Sequence, residues 1–295
     1  MYETILVPTD GSAHAERAAR HAVSLAEAFG ASVTVLGVAD IAAAAGPFDA
    51  GGVSREFRER VRSESESVVE ETVALADDRV PVKTAVVDGD PAKAIVEYAD
   101  EGEFDAVAMG THGRRGLSRL VFGSVARYVV RHTTRPVLTA RETDAGLVTD
   151  YDDVLVPTDG SDAAEAAVAH GIAVADAFDA TVHAVTVVDL GGMTTGSGVE
   201  PPTQRLERQT EAGEETVEAV AERARDEGLD ATATVVHGFP SADLLDYVDE
   251  EGVDIVAMGT HGRTGLDRVL LGSTTERVLT RSPVPVLAVH PDDAG

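Results

Sequence analysis

Apolar positions along this chain fall into two alternating rhythms. Ile5-Leu6-Val7 is a short continuous apolar run. The Ala-rich stretch Ala13–Phe29 that follows places Ala15, Ala18, Ala19, Ala22, Val23, Ala26 and Phe29 at helical spacing. The same reading predicts strands at Ser32–Val38, Val82–Val87, Asp105–Met109 and Val137–Ala140, with helices at Arg55–Asp77, Pro91–Asp100 and Ser124–His132. Pro91 suits a first helical turn, where the missing N–H has no intrahelical acceptor.

The order then starts again. Leu6-Val7-Pro8-Thr9-Asp10-Gly11-Ser12 recurs as Leu155-Val156-Pro157-Thr158-Asp159-Gly160-Ser161, and Val107–Arg114 recurs as Val256–Arg263. Gly123-Ser124 returns as Gly272-Ser273, and Pro136-Val137-Leu138 as Pro285-Val286-Leu287, all at an offset of 149 residues. A period this long is a duplicated domain, not a solenoid repeat. The expected domains are 1–141 and 151–291, joined by a short polar linker at 142–150. The copies diverge most at 41–56 and 190–205, where Gly46-Pro47 and Gly191-Gly192 read as loops. Strands alternating with helices imply two tandem α/β units, each a doubly wound, Rossmann-like parallel sheet of five strands with helices on both faces. Ligands of such sheets bind beyond the carboxyl ends of the strands, where the strand order reverses.

That is where the candidate chemistry lies. After the strand ending in Met109 the chain reads Gly110-Thr-His112-Gly113, nine further residues, then Gly123-Ser124 opening a helix; Gly259-Thr-His261-Gly262 and Gly272-Ser273 repeat the spacing. Glycine lets backbone N–H groups approach phosphate oxygens and permits positive φ, and a helix N-terminus adds unpaired amides and partial positive charge. In this context the chain resembles the universal stress proteins, whose ATP-binding subgroup carries Gly-x2-Gly-x9-Gly-[Ser/Thr]. Both copies match that motif, and the resemblance spans essentially the whole chain as a tandem member. It implies an adenine nucleotide alpha hydrolase-like fold and ATP as ligand, with Mg²⁺ carried by the phosphates. It further implies that Asp10 and Asp159, in the segments Pro8-Thr9-Asp10 and Pro157-Thr158-Asp159, hold the ribose. Val38 and Val187 contact adenine, Met109 and Met258 pack on the base, and the glycine loops with Ser124, Val125, Ser273 and Thr274 take the phosphates.

Plainer readings stand beside these. Asp10 and Asp159 also suit turn or capping roles, and one carboxylate can do both. His112 and His261 have no second ligand at metal spacing in their loops, which leaves a phosphate contact or a structural role. Arg114 and Arg263 fit a phosphate clamp or an ion pair. His21 and His170 recur on a helix and read as structural, and Met109 and Met258 equally suit the core. Inside the loops the copies part, Arg115 against Thr264 and Ser118 against Asp267, and an added carboxylate would weaken anion binding at the second site. No Gly-x4-Gly-Lys-[Ser/Thr] loop is present and Lys83 and Lys93 lie far from the glycine loops, so catalysis is assigned to no residue and hydrolysis is expected to be slow and incidental.

Composition narrows the classes. Asp and Glu total 52 against 24 for Lys and Arg, a formal net charge of -28. Such a surface repels nucleic acid and anionic lipid; its acidity and two lysines resemble proteins of salt-accumulating halophiles. With no cysteine, disulfides and thiol chemistry are excluded. The N-terminus lacks the basic and apolar regions of a signal peptide, and no apolar run reaches the ~20 residues of a membrane span, so a soluble cytoplasmic protein is expected. The leading expectation is a nucleotide-dependent stress sensor or regulator. The alternatives are a slow hydrolase or nucleotide-transfer enzyme of the same superfamily, or an interaction module with one decayed site. The last strands resemble the edges through which single-domain members pair, which implies pseudo-two-fold pairing of the halves and leaves room for dimers of the whole chain.

Overall fold

The computed structural model describes residues 1–46, 54–76, 78–113, 122–143, 146–191, 202–262 and 271–291. The chain divides into two compact units, Met1–Thr149 and Asp150–Gly295.

In unit 1 the elements run β1 (Thr4–Thr9), α1 (Ala13–Phe29), β2 (Ser32–Ala39), α2 (Ile41–Ala45), α3 (Arg55–Val73), β3 (Val82–Asp88), α4 (Pro91–Glu101), β4 (Ala106–Gly110), α5 (Ser124–His132) and β5 (Val137–Ala140). All pairings are parallel, in the order β3-β2-β1-β4-β5. Chain direction across the sheet reverses between β1 and β4. Right-handed crossovers in a sheet wound both ways from β1 put α1 and α3 on one face and α4 and α5 on the other. The fully buried strand residues Leu6, Val7, Leu36, Val107 and Leu138 form the core. Tyr2 closes it edge-on against Phe29, ring centroids 4.9 Å apart.

Helix α1 shows why its boundaries were legible. Ser12 accepts the Ala15 N–H as N-cap, Ala15, Ala18, Ala19, Ala22 and Ala26 are buried, and Gly30 ends the helix at φ 66°. One element was not expected. Asp40 accepts the Ala43 N–H and starts the one-turn helix Ile41–Ala45 inside the stretch read as a loop. Four alanines following a capping aspartate make that turn locally favourable, but it is too short to show a period. After β5 the chain returns along α1: Glu142 N–H donates to His14 Nδ1 at 2.8 Å, Arg17 donates to the Gly146 carbonyl at 2.9 Å, and Ser24 Oγ donates to the Thr149 carbonyl.

Unit 2 repeats the plan with β6 (Asp153–Pro157), α6 (Asp162–Phe178), β7 (Thr181–Asp189), α7 (Pro202–Asp226), β8 (Ala231–Gly238), α8 (Pro240–Glu251), β9 (Ile255–Gly259), α9 (Ser273–Arg281) and β10 (Val286–Val289). Its parallel strands run β10-β9-β6-β7-β8. Helix α7 opens at Pro202, so it reaches into the divergent stretch read as loop; proline is at home in a first turn. Among the described residues no helix is long and apolar enough to cross a membrane.

Candidate functional site

The site of unit 1 forms where β1 and β4 end side by side. Asp10 follows β1, and its Oδ1 accepts the Ser12 N–H at 3.0 Å while Thr9 Oγ1 accepts the Gly11 N–H at 3.2 Å. This tight turn needs Gly11, which sits at φ 70°. The turn uses one carboxylate oxygen. The other, Oδ2, faces Gly113 across the cleft: a Cβ built on Gly113 would stand 2.5 Å from it. The capping and ligand-facing readings of Asp10 are therefore compatible within one side chain.

The loop glycines serve close approach and not positive φ. A Cβ at Gly110 would meet the backbone of His14 and Ala15 at 2.7 Å, because β4 ends against the start of α1. Gly123 N–H donates to the Thr111 carbonyl at 2.9 Å, and a Cβ there would stand 2.6 Å from the same oxygen. None of Gly110, Gly113 and Gly123 has a positive φ, so that half of the expected rationale is corrected. The close contact is with main chain at Gly110 and Gly123 and with the Asp10 carboxylate at Gly113.

Helix α5 leaves this loop with Gly123 as N-cap and no side-chain cap, and α9 does the same at Gly272. By contrast α1, α3, α4 and α6 are capped by Ser12, Ser54, Asp90 and Ser161. The first-turn amides of α5 and α9 thus have no side-chain acceptor and suit an anion.

These features open on a cleft of about 910 Å³, a volume in the range of small-molecule sites. It is lined by Pro8, Thr9, Asp10, Val38, Met109, Gly110, His112, Gly113, Gly123, Ser124 and Val125, which are all of the described candidates of unit 1. Met109 is buried beneath it and offers an apolar surface. The cleft also takes in residues that sequence reasoning missed: Asp40, Ala43, Glu64, Asp90, Ile95, Thr111 and Phe122 among them. Asp40 and Asp90 follow the second and third strands, and the rule that ligands gather at strand ends was the signal that pointed there. Four carboxylates, Asp10, Asp40, Glu64 and Asp90, line the walls, with no lysine or arginine among the described lining residues. A bare polyanion meets repulsion everywhere except at the loop and the helix terminus. Loop amides, an uncapped helix end, a carboxylate and an apolar floor together fit a nucleotide.

Unit 2 places its candidates equivalently. Asp159 Oδ1 accepts the Ser161 N–H at 3.0 Å, Thr158 Oγ1 accepts the Gly160 N–H at 3.1 Å, and a Cβ at Gly262 would stand 2.7 Å from Asp159 Oδ2. Pro157 ends β6, Val187 lies in β7, Met258 and Gly259 end β9, and Ser273 and Thr274 open α9. Gly259 is pressed against Ala163 as Gly110 is against His14. Arg114, Arg263, the differing loop positions Arg115, Ser118, Thr264 and Asp267, and Pro47 and Gly192 lie outside the described residues.

The loop histidines each share a threonine hydroxyl with a second imidazole. His112 Nδ1 is 3.1 Å from Thr111 Oγ1, and its ring lies 5.1 Å from that of His14. His261 Nδ1 is 2.9 Å from Thr260 Oγ1, which also meets His290 Nδ1 at 3.3 Å. The partner thus comes from α1 in one unit and from the end of β10 in the other. Burial, then the nearby His14 and Arg141, hold His112 below the usual imidazole range, so it faces the cleft neutral at pH 7. His21 is wholly buried in α1 and pushed down to about 3, by burial first and then by Arg17, in keeping with a structural role. Among the described residues no cluster of three or more His, Asp or Glu could hold a metal ion.

A model of the universal stress protein family matches residues 1–141 and again residues 150–290. The chain belongs to the universal stress protein family. A universal stress protein of Methanocaldococcus jannaschii is 35% identical over 142 residues, 47% of this chain and 82% of its own length. One from Mycobacterium bovis is 32% identical over 222 residues, 73% of this chain and 71% of its own, so the alignment is longer than either unit and reaches into both. A solved universal stress protein of Archaeoglobus fulgidus superposes with a TM-score of 0.69 at 22% identity, covering 97% of this chain and 96% of that one; it shares the fold.

Proposed function

We propose that this universal stress protein binds ATP at the carboxyl ends of its strands, one site per unit, and works in the cytoplasm as a nucleotide-dependent regulator of a stress response. The observation that carries the reading is the cleft of unit 1. It brings the candidate residues of four separate stretches, Pro8–Asp10, Val38, Met109–Gly113 and Gly123–Val125, together around a glycine loop and an uncapped helix end. The loop amides and Ser124 would take the phosphates, Asp10 the ribose hydroxyls, and Val38 and Met109 the base. The acidic walls favour ATP that arrives with a divalent cation already neutralising its phosphates. Among the described lining residues no lysine or arginine is present to clamp a transferring phosphoryl group, which favours binding over turnover.

Calorimetry of the full chain with Mg-ATP in molar KCl tests this. Binding at up to two sites is expected, with Asp10→Ala and Asp159→Ala each removing one; folded protein that gives no heat overturns the reading. Titrations with other adenine nucleotides rank the ligands. Phosphate release at catalytic rates, abolished by the two substitutions together, would favour the enzyme alternative. Pairing of the halves through β5 and β10, and of two chains with each other, belongs to the same proposal; solution scattering that resolves two separated lobes overturns the former.

A further inference from the structure

The two units differ in kind at one wall of the candidate site. In unit 1 the turns after β2 and β3 carry Asp40 and Asp90, both lining the cleft. Each caps a helix, Asp40 through the Ala43 N–H at 2.9 Å and Asp90 through the Lys93 N–H at 3.2 Å. At the constant offset unit 2 has Asp189 and Phe239. Asp189 Oδ1 still accepts a local amide, that of Gly191, at 2.8 Å. Phe239 stands at the N-cap of α8 without a cap bond and is 63% exposed.

The substitution breaks two local rules together. A phenylalanine N-cap forfeits the bond that aspartate makes in the other copy, and an exposed ring buries little in exchange. The helix compensates in part: Pro240 in the first turn needs no acceptor, and Asp243 reaches back to accept the Phe239 N–H. The ring edge lies beside Gly191, where a Cβ would stand 3.5 Å from it in ordinary contact, so glycine places no side chain of its own over that edge. Leu190, joined to the end of β8 by its N–H to the Gly238 carbonyl at 3.0 Å, adds a second exposed apolar side chain. A rule kept in one copy and broken in the other at a site mouth marks function more than folding.

We propose that Phe239 is the platform on which the base of a nucleotide stacks in unit 2, so that the second site holds its ligand by the face of the base where the first surrounds it with carboxylates. The inference rests on the nucleotide-binding reading above. It makes Phe239 an affinity residue: it touches the base and leaves the phosphates to the loop at Gly259–Gly262 and to α9. Stacking tolerates any base, because each has a π face, so the second site is the less selective of the two.

Ser124→Asp in the full chain puts a carboxylate at the start of α5 and removes anion binding from unit 1, leaving the site of unit 2 to be read alone. In that background Phe239→Ala is expected to weaken Mg-ATP about tenfold and to leave inorganic tripolyphosphate unchanged, while Phe239→Tyr restores the affinity. The chain contains no tryptophan, so Phe239→Trp supplies a single, selectively excited indole that Mg-ATP should quench and tripolyphosphate should not. Unchanged Mg-ATP affinity in Phe239→Ala, with Trp emission unmoved at saturation, overturns the proposal and leaves the nucleotide reading intact. Loss of all Mg-ATP heat with Ser124→Asp alone overturns it by removing the second site. Emission that follows protein concentration and ignores nucleotide assigns the ring to contact between chains and overturns it as well. Absence of heat in the unsubstituted chain takes both readings down. Because the ring is exposed, the Tyr and Trp variants keep the fold and carry the test even where truncation does not.

Discussion

Around the first strand and the glycine loop, at the carboxyl ends, the backbone of the two units repeats closely; at the amino ends they are built from different chemistry. Above the sheets, Asp10 and Asp159 make the same turn at the same 3.0 Å, and Gly113 and Gly262 face the carboxylate Oδ2 in the same way. Below them, one device is shared: Asp105 Oδ2 accepts the Glu3 and Thr4 amides, and Asp254 Oδ2 those of Asp152 and Asp153. Beside it unit 2 adds a buried histidine. His183 Nε2 meets Asp153 Oδ1 at 2.8 Å and its Nδ1 meets the Tyr247 hydroxyl at 3.0 Å, where unit 1 has Thr34, Thr4 and Tyr98. Burial raises the Asp254 carboxyl, with the charges of Asp152 and Asp153 adding to the effect and the two amides opposing it.

Mid-sheet the units differ by compensation. In unit 1 the strand position is Gly37, and a Cβ there would stand 2.9 Å from Val69 Cγ2 of α3. In unit 2 the strand position is Thr186, and the helix gives way instead: a Cβ at Gly213 of α7 would stand 2.9 Å from Thr186 Cγ2. Side-chain volume can be moved from strand to helix as long as the sum is kept. At Gly110, Gly259 and Gly123 no such exchange is open, because the nearest atoms are main chain.

This contrast can be broken at its strongest point first. Gly110→Val and Gly259→Val are each expected to cost roughly 4 kcal/mol, since the added side chain meets the main chain of α1 or α6. Urea denaturation that finds either change nearly neutral would show that the strand ends can relax. The same method should separate Gly123→Ala from Gly272→Ala. The first Cβ would sit 2.6 Å from a carbonyl oxygen and the second 3.3 Å, so losses of about 2 and below about 1 kcal/mol are expected.

At the amino ends, His183→Leu should cost about 2–3 kcal/mol, because the Asp153 and Tyr247 partners remain in place without it. Asp153→Thr together with His183→Thr copies unit 1 and should recover most of that loss. A double variant no more stable than the single one would mean that the network does more than satisfy itself.

A smaller effect comes from pH. His21 is held neutral in the fold down to about 3, while in the unfolded chain it takes up a proton near 6.5. Unfolding therefore binds a proton between those values, and the stability present above pH 6.5 is lost as pH falls toward 3. By pH 5 the loss should be about 2 kcal/mol, read as a falling thermal midpoint that flattens in His21→Gln. The smallest effect concerns the end of the first helix. Gly30 closes α1 at φ 66°, whereas Asp179 closes α6 at φ 54°. Asp179→Gly should raise the urea midpoint by an amount worth up to about 1 kcal/mol.

Much of the fold was legible from sequence, and the reason is local. Ala15, Ala18, Ala22 and Ala26 of α1 mark its buried face by spacing alone, and Ser12 and Gly30 mark its ends. The duplication was visible because backbone constraints held the same residues at one offset. α2 escaped notice because one turn shows no period. The site was half legible. Gly110, Gly113 and Gly123 stand in a recognisable spacing, but that Gly113 faces Asp10 is a contact between residues about a hundred positions apart, and no local pattern encodes it.

The sequence by itself determined the elements, their order, the duplication and the loops that line the candidate sites, since hydrophobic period, caps and glycines act within a few residues of where they stand. Only the tertiary structure decided which side chains come together: that Asp40, Glu64 and Asp90 line one cleft, that His112 finds His14 while His261 finds His290, and that Phe239 takes the place of a capping aspartate in the open. Those meetings depend on strand order and helix placement, which the whole core fixes and no single segment contains.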